Sequence, residues 1–194
     1  MVLQSKTHEN HAQLTINSTH DYGILAVPFS VLRRWQIDGL SDTMRDAIMN
    51  LPYTSACKVA LEFRTRFWEH VSKPIFGSCW TPGPEFPGVG TICYPSYNIN
   101  GTGKAAVLAS YISDPSWGNW WASKGEREHV GYILSAIVGV HGDNARSQYT
   151  GKYSRVCWEL DPLEAAGWAD PTVEQQQLYL PEYFKTHNNV SRLL

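Results

Sequence analysis

A lysine near the start of a regular alternation is the first residue in this sequence that could do chemistry. Polar and apolar residues alternate over 56–65, in the segment ACKVALEFRT. This period of two predicts a strand with one face towards a core. Lys58 shares the polar face of that strand with Ala60, Glu62 and Arg64. The pattern alone favours a solvated surface charge for Lys58, and the alternative is an ammonium group aimed at a ligand.

Aromatic side chains are the second group with chemical potential. The sequence has eight tryptophans and ten tyrosines, and several lie in segments rich in Gly, Pro and Ser, such as SDPSWGNWW, which we interpret as loops. The first interpretation of these aromatics is a core with some rim residues, because such side chains bury large areas. The alternative is an aromatic-lined ligand cavity.

The cysteines and histidines do not have the spacing of a metal site. The four cysteines form no C-x-x-C pair, and the seven histidines do not fall at ligand spacing, so we expect no metal. The opening segment MVLQSKTHENHAQ lacks the apolar centre of a secretory signal. We therefore expect a cytoplasmic protein by default, with its cysteines reduced. The N-x-[ST] sequons at Asn17, Asn100 and Asn189 would matter only in a secreted chain.

Composition limits the kinds of partner. The 194 residues are enough for one domain with a real core, and 43% of them are apolar. The formal net charge is -2, which gives no basic footprint for nucleic acid or for an anionic membrane. No apolar run approaches the length of a membrane span. We expect neither nucleic acid nor membrane as a partner.

The elements around the lysine strand predict an α+β fold with a mixed, largely antiparallel sheet, because strands come in runs with helices set between them. We predict a buried strand over Tyr22–Val27 that ends at Pro28, and a short helical turn after it. We predict a helix capped by Ser41 and an amphipathic helix over 123–142. Further strands are predicted near 75–80, 90–94, 104–112 and 150–160, and a part-helical segment over 172–185.

Four stretches in the same order and spacing resemble the C-terminal half of the flavin-dependent amine oxidases. They are ILAVPFSVLRRW, ACKVALEFRTRFWEH, ICYPSYNINGTGKAAVLASY and CWELDPLEAAGWADP. Within that family the resemblance is nearest to fungal L-amino-acid oxidases. It implies the family's substrate-binding domain over 30–157. It also implies the end of an FAD-binding region over 1–29 and the start of a return to that region over 158–194.

The resemblance also implies which residues contact the flavin. A lysine at the position of Lys58 projects towards the cofactor and holds a water beside its reactive nitrogen, so the resemblance favours the ligand-directed alternative for Lys58. Trp158 matches a tryptophan near the flavin ring. Val27 matches the end of the strand that returns from the cofactor domain.

Three further positions are implied for the substrate. Tyr111 matches an aromatic residue whose hydroxyl helps to hold a substrate carboxylate, and the alternative is a core tyrosine at a strand end. Trp168 matches an aromatic residue that flanks the substrate in front of the flavin. Gly167 would let the backbone approach the ligand, because it has no Cβ.

The activity that the resemblance implies is oxidative deamination of an amine or L-amino acid. The products are an imine or 2-oxo acid and hydrogen peroxide, with FAD as cofactor and dioxygen as acceptor. The family's G-x-G-x-x-G fingerprint is absent. We therefore expect a fragment that is inactive alone and that needs a complementary FAD-binding fragment or a homo-oligomer. The alternatives are a non-catalytic remnant that binds another protein, and a carbohydrate-binding module.

Overall fold

The computed structural model forms two compact units, one of residues 53–169 and one of residues 1–52 with 170–194. It describes residues 2–9, 12–21, 24–77, 79–80, 83–111 and 115–185. Helices and antiparallel strands are mixed in it, which confirms the predicted α+β class. The three functional segments that the resemblance implies remain a prediction.

Within the described residues the chain forms nine strands and six α-helices. In chain order they are β1 (Val2–Glu9), β2 (Ala12–Thr19), α1 (Phe29–Leu32), α2 (Asp42–Asn50), β3 (Tyr53–Thr54), β4 (Cys57–Phe63), β5 (Cys79–Trp80), β6 (Val89–Cys93), β7 (Ala105–Tyr111), α3 (Pro115–Ser123), α4 (Glu126–His141), α5 (Asp143–Gln148), β8 (Tyr149–Cys157), β9 (Trp168–Ala169) and α6 (Val173–Tyr183). Two 3-10 helices lie at Phe67–Glu69 and Trp158–Leu160.

A five-stranded antiparallel sheet dominates the unit of residues 53–169, in the order β5-β6-β7-β4-β8. The central strand β4 is the predicted lysine strand. Its odd-numbered residues, such as Val59 and Leu61, are fully buried, and its even-numbered residues are at least partly accessible. We call the side of Val59 the core face and the side of Lys58 the open face.

The core face is packed with aromatic and aliphatic side chains. Trp68 and Trp121 are fully buried and join the cluster around Phe63, which favours the interpretation of the aromatics as core. Trp121 belongs to α3, so the prediction of a loop at SDPSWGNWW is wrong. Helix α3 packs so closely that a Cβ at Gly118 would lie 2.2 Å from the Cβ of Ser55, and this contact depends on residues that are distant in sequence.

Helix α4 confirms the amphipathic helix predicted from the sequence. Val130, Ile133, Leu134 and Ile137 are buried, and Val138 is half-buried. The helix ends at Gly142, which has a φ of 74°. A positive φ of this kind costs glycine little, so Gly142 lets the chain leave the helix.

The unit of residues 1–52 and 170–194 contains the predicted Ser41 cap. The Ser41 hydroxyl accepts a hydrogen bond from the Met44 amide at 3.1 Å, at the first turn of α2. The predicted strand over 22–27 is wrong for Ile24–Val27, which form neither strand nor helix, and the rest of that segment lies outside the described residues. The β1–β2 hairpin was not predicted, because its polar sequence lacks a buried-strand pattern.

Two disulfides correct the expectation of reduced cysteines. Cys57 pairs with Cys157 on the core face, and Cys79 pairs with Cys93 on the open face, each with a Cα–Cα distance of 4.0 Å. In both cases the two cysteines occupy facing positions of neighbouring antiparallel strands. The partners are 100 and 14 residues apart in sequence, so only the strand register reveals the pairing.

Candidate functional site

Lys58 lies on the open face, near the start of β4. Its strand neighbours in register are Ser110 and Val156. The ammonium Nζ lies 5.6 Å from the centroid of the Trp158 ring. Among the described residues no carboxylate lies within ion-pair distance of it, whereas Glu62, on the same face, contacts Lys104 at 3.7 Å. An exposed lysine without a counterion, next to an aromatic face, keeps its donors available for a ligand or water.

Trp158 is held in place by the backbone at the end of β8. Its amide N donates a hydrogen bond of 2.9 Å to the carbonyl of Ala56, where the strand passes into a 3-10 helix. The indole is half-buried and therefore has a restricted orientation. The structure thus brings together two of the residues implied for the flavin, Lys58 and Trp158.

Glu159 is a residue of this site that the sequence did not reveal. Its Oε2 accepts a hydrogen bond from the Ala56 amide at 3.1 Å, and its Oε1 lies 3.6 Å from the Cys57 sulfur. That sulfur is part of a disulfide and carries no proton to donate. Glu159 therefore fixes the backbone just before Lys58. The only sequence signal was an acid directly after Trp158, which alone indicates nothing about its contacts.

Gly167 and Trp168 contact the residues just before Lys58. The Gly167 amide donates to the Thr54 carbonyl at 2.8 Å, and Trp168 pairs with Thr54 in the short β3–β9 ladder. A Cβ at Gly167 would lie 2.5 Å from the Cβ of Ala56, so glycine is required here for packing. The Trp168 side chain is 43% exposed.

We call Lys58, Trp158, Glu159, Gly167 and Trp168 the lysine cluster, because all of them lie in or against residues 54–58. The structure thus places four of the six predicted site residues along one short segment. Glu159 adds a contact from the 3-10 helix after β8 to the backbone of Ala56.

The other two predicted site residues, Tyr111 and Val27, are described only by their places in the fold. Tyr111 ends β7 and pairs with Val89, one position beyond the residue that faces Lys58, and its side chain lies outside the described residues. Val27 belongs to the other unit, where it is half-buried and packs against the cluster of Leu32 and Met44. The roles implied for Tyr111 and Val27 remain predictions.

The strongest electrostatic effects lie on the core side and not in the lysine cluster. His129 is 1% exposed, and its Nδ1 accepts a hydrogen bond from Arg155 Nε at 2.9 Å. Burial, with the Arg155 charge, lowers the pKa of His129 to about 4. Burial likewise raises the pKa of Tyr94 and lowers that of His141, whose Nε2 lies 2.5 Å from the Tyr94 hydroxyl. These groups support the core.

In the part of the chain with described side chains, no group of three His, Cys, Asp or Glu residues could hold a metal ion. Among the described helices, none is long and apolar enough to cross a bilayer.

Comparison with known protein families shows which family the chain belongs to. The family model described as flavin containing amine oxidoreductase matches residues 5–192. The chain belongs to this family. Over 180 residues it is 57% identical to an L-amino-acid oxidase from Neurospora crassa, and 29% identical over 189 residues to an L-amino-acid oxidase from Siganus canaliculatus. The resemblance seen in the sequence to amine oxidases, nearest to fungal L-amino-acid oxidases, is confirmed.

Two oxidases of known structure share the fold. The chain superposes on a putrescine oxidase with a TM-score of 0.67 over 92% of its length, at 14% identity. A cyclohexylamine oxidase from Brevibacterium oxydans gives a TM-score of 0.66 over 93%, at 15% identity. At such identities the match concerns the fold alone.

The chain is much shorter than the relatives that it matches. The alignments cover 90% of this chain but 26% of the Neurospora crassa protein, and 96% of this chain but 33% of the Siganus canaliculatus protein. The putrescine oxidase is covered to 37%. The shared residues therefore correspond to about a quarter to a third of each relative.

Proposed function

We propose that this chain supplies the substrate-side part of an FAD-dependent L-amino-acid oxidase. The observation that carries the proposal is the position of Lys58, which is exposed, lies beside Trp158 and has no carboxylate partner among the described residues. The 57% identity to the Neurospora crassa L-amino-acid oxidase supports the same reaction class.

The open face presents Lys58 among small and apolar side chains. Ala60 follows Lys58 on this face of β4, and the residues that face these two on the neighbouring strands include Leu108 and Val156. Lys58 and Trp158 would contact the flavin ring. A bound flavin would supply the chemistry of hydride acceptance from the substrate carbon and of electron transfer to dioxygen, with hydrogen peroxide as the product. The chain's residues show no glycine-rich pyrophosphate fingerprint.

Lys58 would hold a water molecule at its ammonium group. A lysine ammonium has three donors and no acceptor, so it can donate a hydrogen bond to a water molecule. The face of Trp158 attracts the ammonium and restricts its position. Glu159 contributes by fixing the Ala56 backbone, two residues before Lys58.

The substrate side would be formed by Trp168 and Tyr111, and Gly167 would contribute by letting its segment pack closely against Ala56. The exposed indole of Trp168 would flank an amine or amino acid and exclude water from it. The substrate amine must lose a proton before hydride departs. Within the lysine cluster the one carboxylate, Glu159, already accepts the Ala56 amide, so we assign deprotonation to solvent.

The first test concerns the chain by itself. Purified chain is mixed with FAD and passed through a desalting column, and its flavin absorbance is recorded before and after addition of L-amino acids. We expect no stoichiometric retention of flavin and no peroxide. A yellow protein that bleaches with an L-amino acid would contradict the proposal that this chain needs a complementary FAD-binding part.

The second test replaces the matching segment of the Neurospora crassa relative with this chain. We expect the chimera to retain flavin and to release peroxide with at least one L-amino acid. The matched control is the same chimera with Lys152→Met, which removes an exposed lysine of β8. A chimera that retains flavin, leaves every L-amino acid unoxidised and folds normally would contradict the proposal.

The alternative function is a non-catalytic domain that binds another protein through the open face. Leu108 and Val156 favour it, because both are exposed there, at 36% and 46%, beside Ala60 and Lys58. Exposed apolar side chains on a sheet face are typical of a covered surface. A folded, flavin-loaded but inactive chimera would support this alternative.

A further inference from the structure

The pairing of all four cysteines bears on the compartment in which the protein folds. The sequence has four cysteines, and none remains free. Disulfides form and persist in oxidising compartments and are rare where thiols are kept reduced. N-linked glycosylation takes place along the same secretory route, so the sequons of this chain become candidates for modification.

Of the three sequons, the one at Asn100 is fully described. Asn100–Gly101–Thr102 lies in the loop between β6 and β7, and both Asn100 and Thr102 are exposed. The side chain of Asn17 and the whole of Asn189 lie outside the described residues. Asn98, in the same loop, is exposed as well but lacks a hydroxyl residue two positions later, so it provides an internal contrast.

A buried ion pair between Arg66 and Glu69 contacts the backbone of the Asn100 loop. Arg66 Nε donates to Glu69 Oε1 at 2.6 Å, and both residues are buried. The other carboxylate oxygen, Oε2, accepts the Asn100 amide at 2.8 Å, and Arg66 also donates to the Pro95 carbonyl at 3.2 Å. The backbone of Asn100 is therefore tied inward while its side chain is exposed.

The backbone conformation at Asn100 and Gly101 suits the residue types found there. Asn100 has a φ of 59°, in the left-handed region that asparagine tolerates better than most residues. A Cβ at Gly101 would lie 2.2 Å from the side-chain nitrogen of Asn98. Glycine at this position keeps the turn and satisfies the sequon, which excludes only proline there.

Two exposed apolar side chains lie close to Asn100 in sequence. Tyr97 is 72% exposed and Ile99 is 46% exposed, both within three residues of Asn100. Exposed apolar side chains add to the apolar surface of a molecule. A bulky, soluble glycan on Asn100 would shield them.

We propose that Asn100 carries an N-linked glycan in a protein that folds in an oxidising compartment. The co-reactant is a lipid-pyrophosphate-linked oligosaccharide. The side-chain amide nitrogen of Asn100 forms a bond to the anomeric carbon and loses a proton, while the bond from that carbon to the pyrophosphate oxygen breaks and the lipid pyrophosphate leaves. The proposal does not depend on the proposed oxidase activity.

The test uses the native protein, isolated from the cells that make it. Free thiols are blocked, the protein is digested with trypsin, and the peptide of residues 67–104 is examined by mass spectrometry. Cleavage after Lys73 is blocked by Pro74, so this peptide contains Cys79, Cys93 and Asn100 together. We expect an internal disulfide, seen as the loss of two hydrogens, and a glycan on the same peptide.

Enzymatic removal of the glycan in heavy-oxygen water marks the site. The amidase that releases N-glycans leaves an aspartate with heavy oxygen at Asn100, and a parallel incubation without the amidase measures spontaneous deamidation of the Asn100–Gly101 step, which takes up the same label. A peptide with unmodified Asn100, or with blocked thiols at Cys79 and Cys93, would overturn the proposal.

A variant series in a eukaryotic secretion host separates the sequon from the fold. We expect Thr102→Ala to lose one glycan and Thr102→Ser to keep it, since serine preserves the sequon. Thr102 is exposed, so both variants should fold equally well. If Thr102→Ala keeps every glycan of the parent chain, the proposal fails.

Discussion

The core face and the open face of the five-stranded sheet use alternate residues of the same strand, β4, yet differ in what they hold. On the core face Val59, Leu61 and Phe63 are fully buried against helices and aromatic rings. On the open face Lys58 is exposed beside Trp158, without a carboxylate partner among the described residues. The difference shows that the core face provides the packing of the strand, whereas the open face keeps a charged side chain accessible.

The two disulfides, one on each face, provide the largest expected losses of stability. The Cys57–Cys157 bond closes 100 residues and the Cys79–Cys93 bond closes 14. Loop-closure entropy gives about 4 to 5 kcal/mol for the first and about 3 kcal/mol for the second. We expect Cys57→Ala with Cys157→Ala to lower the urea midpoint more than Cys79→Ala with Cys93→Ala. Equal losses would contradict the dependence of this stabilisation on loop length.

Substitutions on β4 itself test the comparison on a single strand. Phe63→Ala should lower the free energy of unfolding by about 3 to 5 kcal/mol, because it leaves a cavity in a closely packed aromatic cluster. Lys58→Met, on the open face, should change it by less than about 0.5 kcal/mol. Urea denaturation followed by tryptophan fluorescence measures both. A loss at Lys58 comparable with that at Phe63 would show that the open face is structural.

Much of this arrangement follows from the sequence, and the reasons differ between elements. Strand β4 and helix α4 were predicted because their periods of two and 3.6 are regular. Helix α3 was missed because its helical state depends on packing between Gly118 and Ser55. The disulfides were missed because they depend on register between distant strands.

The site was only partly accessible from the sequence. Pattern alone made Lys58 a surface residue, and its exposure agrees with that. The family resemblance, carried by motifs such as ACKVALEFRTRFWEH, indicated the role that periodicity could not. Glu159 was missed because the contact of its carboxylate with the Ala56 amide joins residues 103 positions apart.

The buried histidine on the core side predicts a loss of stability in acid. The pKa of His129 is lowered to about 4, whereas an unfolded histidine titrates near 6.5. The neutral form is favoured by folding, so its contribution is complete above pH 6.5 and is lost as the pH falls towards 4. We expect a loss of up to about 3 kcal/mol across this window.

The matched variant is His129→Asn, whose amide oxygen can accept from Arg155 without titrating. The free energy of unfolding of both proteins is measured by urea denaturation between pH 7 and pH 4. The difference between them should shrink or reverse as the pH falls. A difference that is independent of pH would contradict the lowered pKa of His129.

Within the lysine cluster, Glu159 accepts the hydrogen bond of the Ala56 amide. Its removal should lower the free energy of unfolding by less than Phe63→Ala does. Glu159→Leu leaves the buried Ala56 amide without its acceptor, at a cost of about 1 to 3 kcal/mol. Glu159→Gln retains an oxygen that can accept this hydrogen bond and should be close to the parent. Hydrogen exchange at the Ala56 amide reports the contact directly. If that amide exchanges equally fast in both variants, Glu159 does not hold this segment.

Lys58→Met in the chimera with the Neurospora crassa relative tests the central claim most directly. Peroxide release with the preferred L-amino acid is compared for the parent chimera, Lys58→Met and the control Lys152→Met, and flavin content and urea midpoint are measured for each. We expect Lys58→Met to retain flavin and stability but to lose at least about tenfold in turnover, or about 1.4 kcal/mol in activation free energy, while the control stays unchanged. Turnover of Lys58→Met equal to that of the parent would contradict a role for Lys58 in the oxidase reaction.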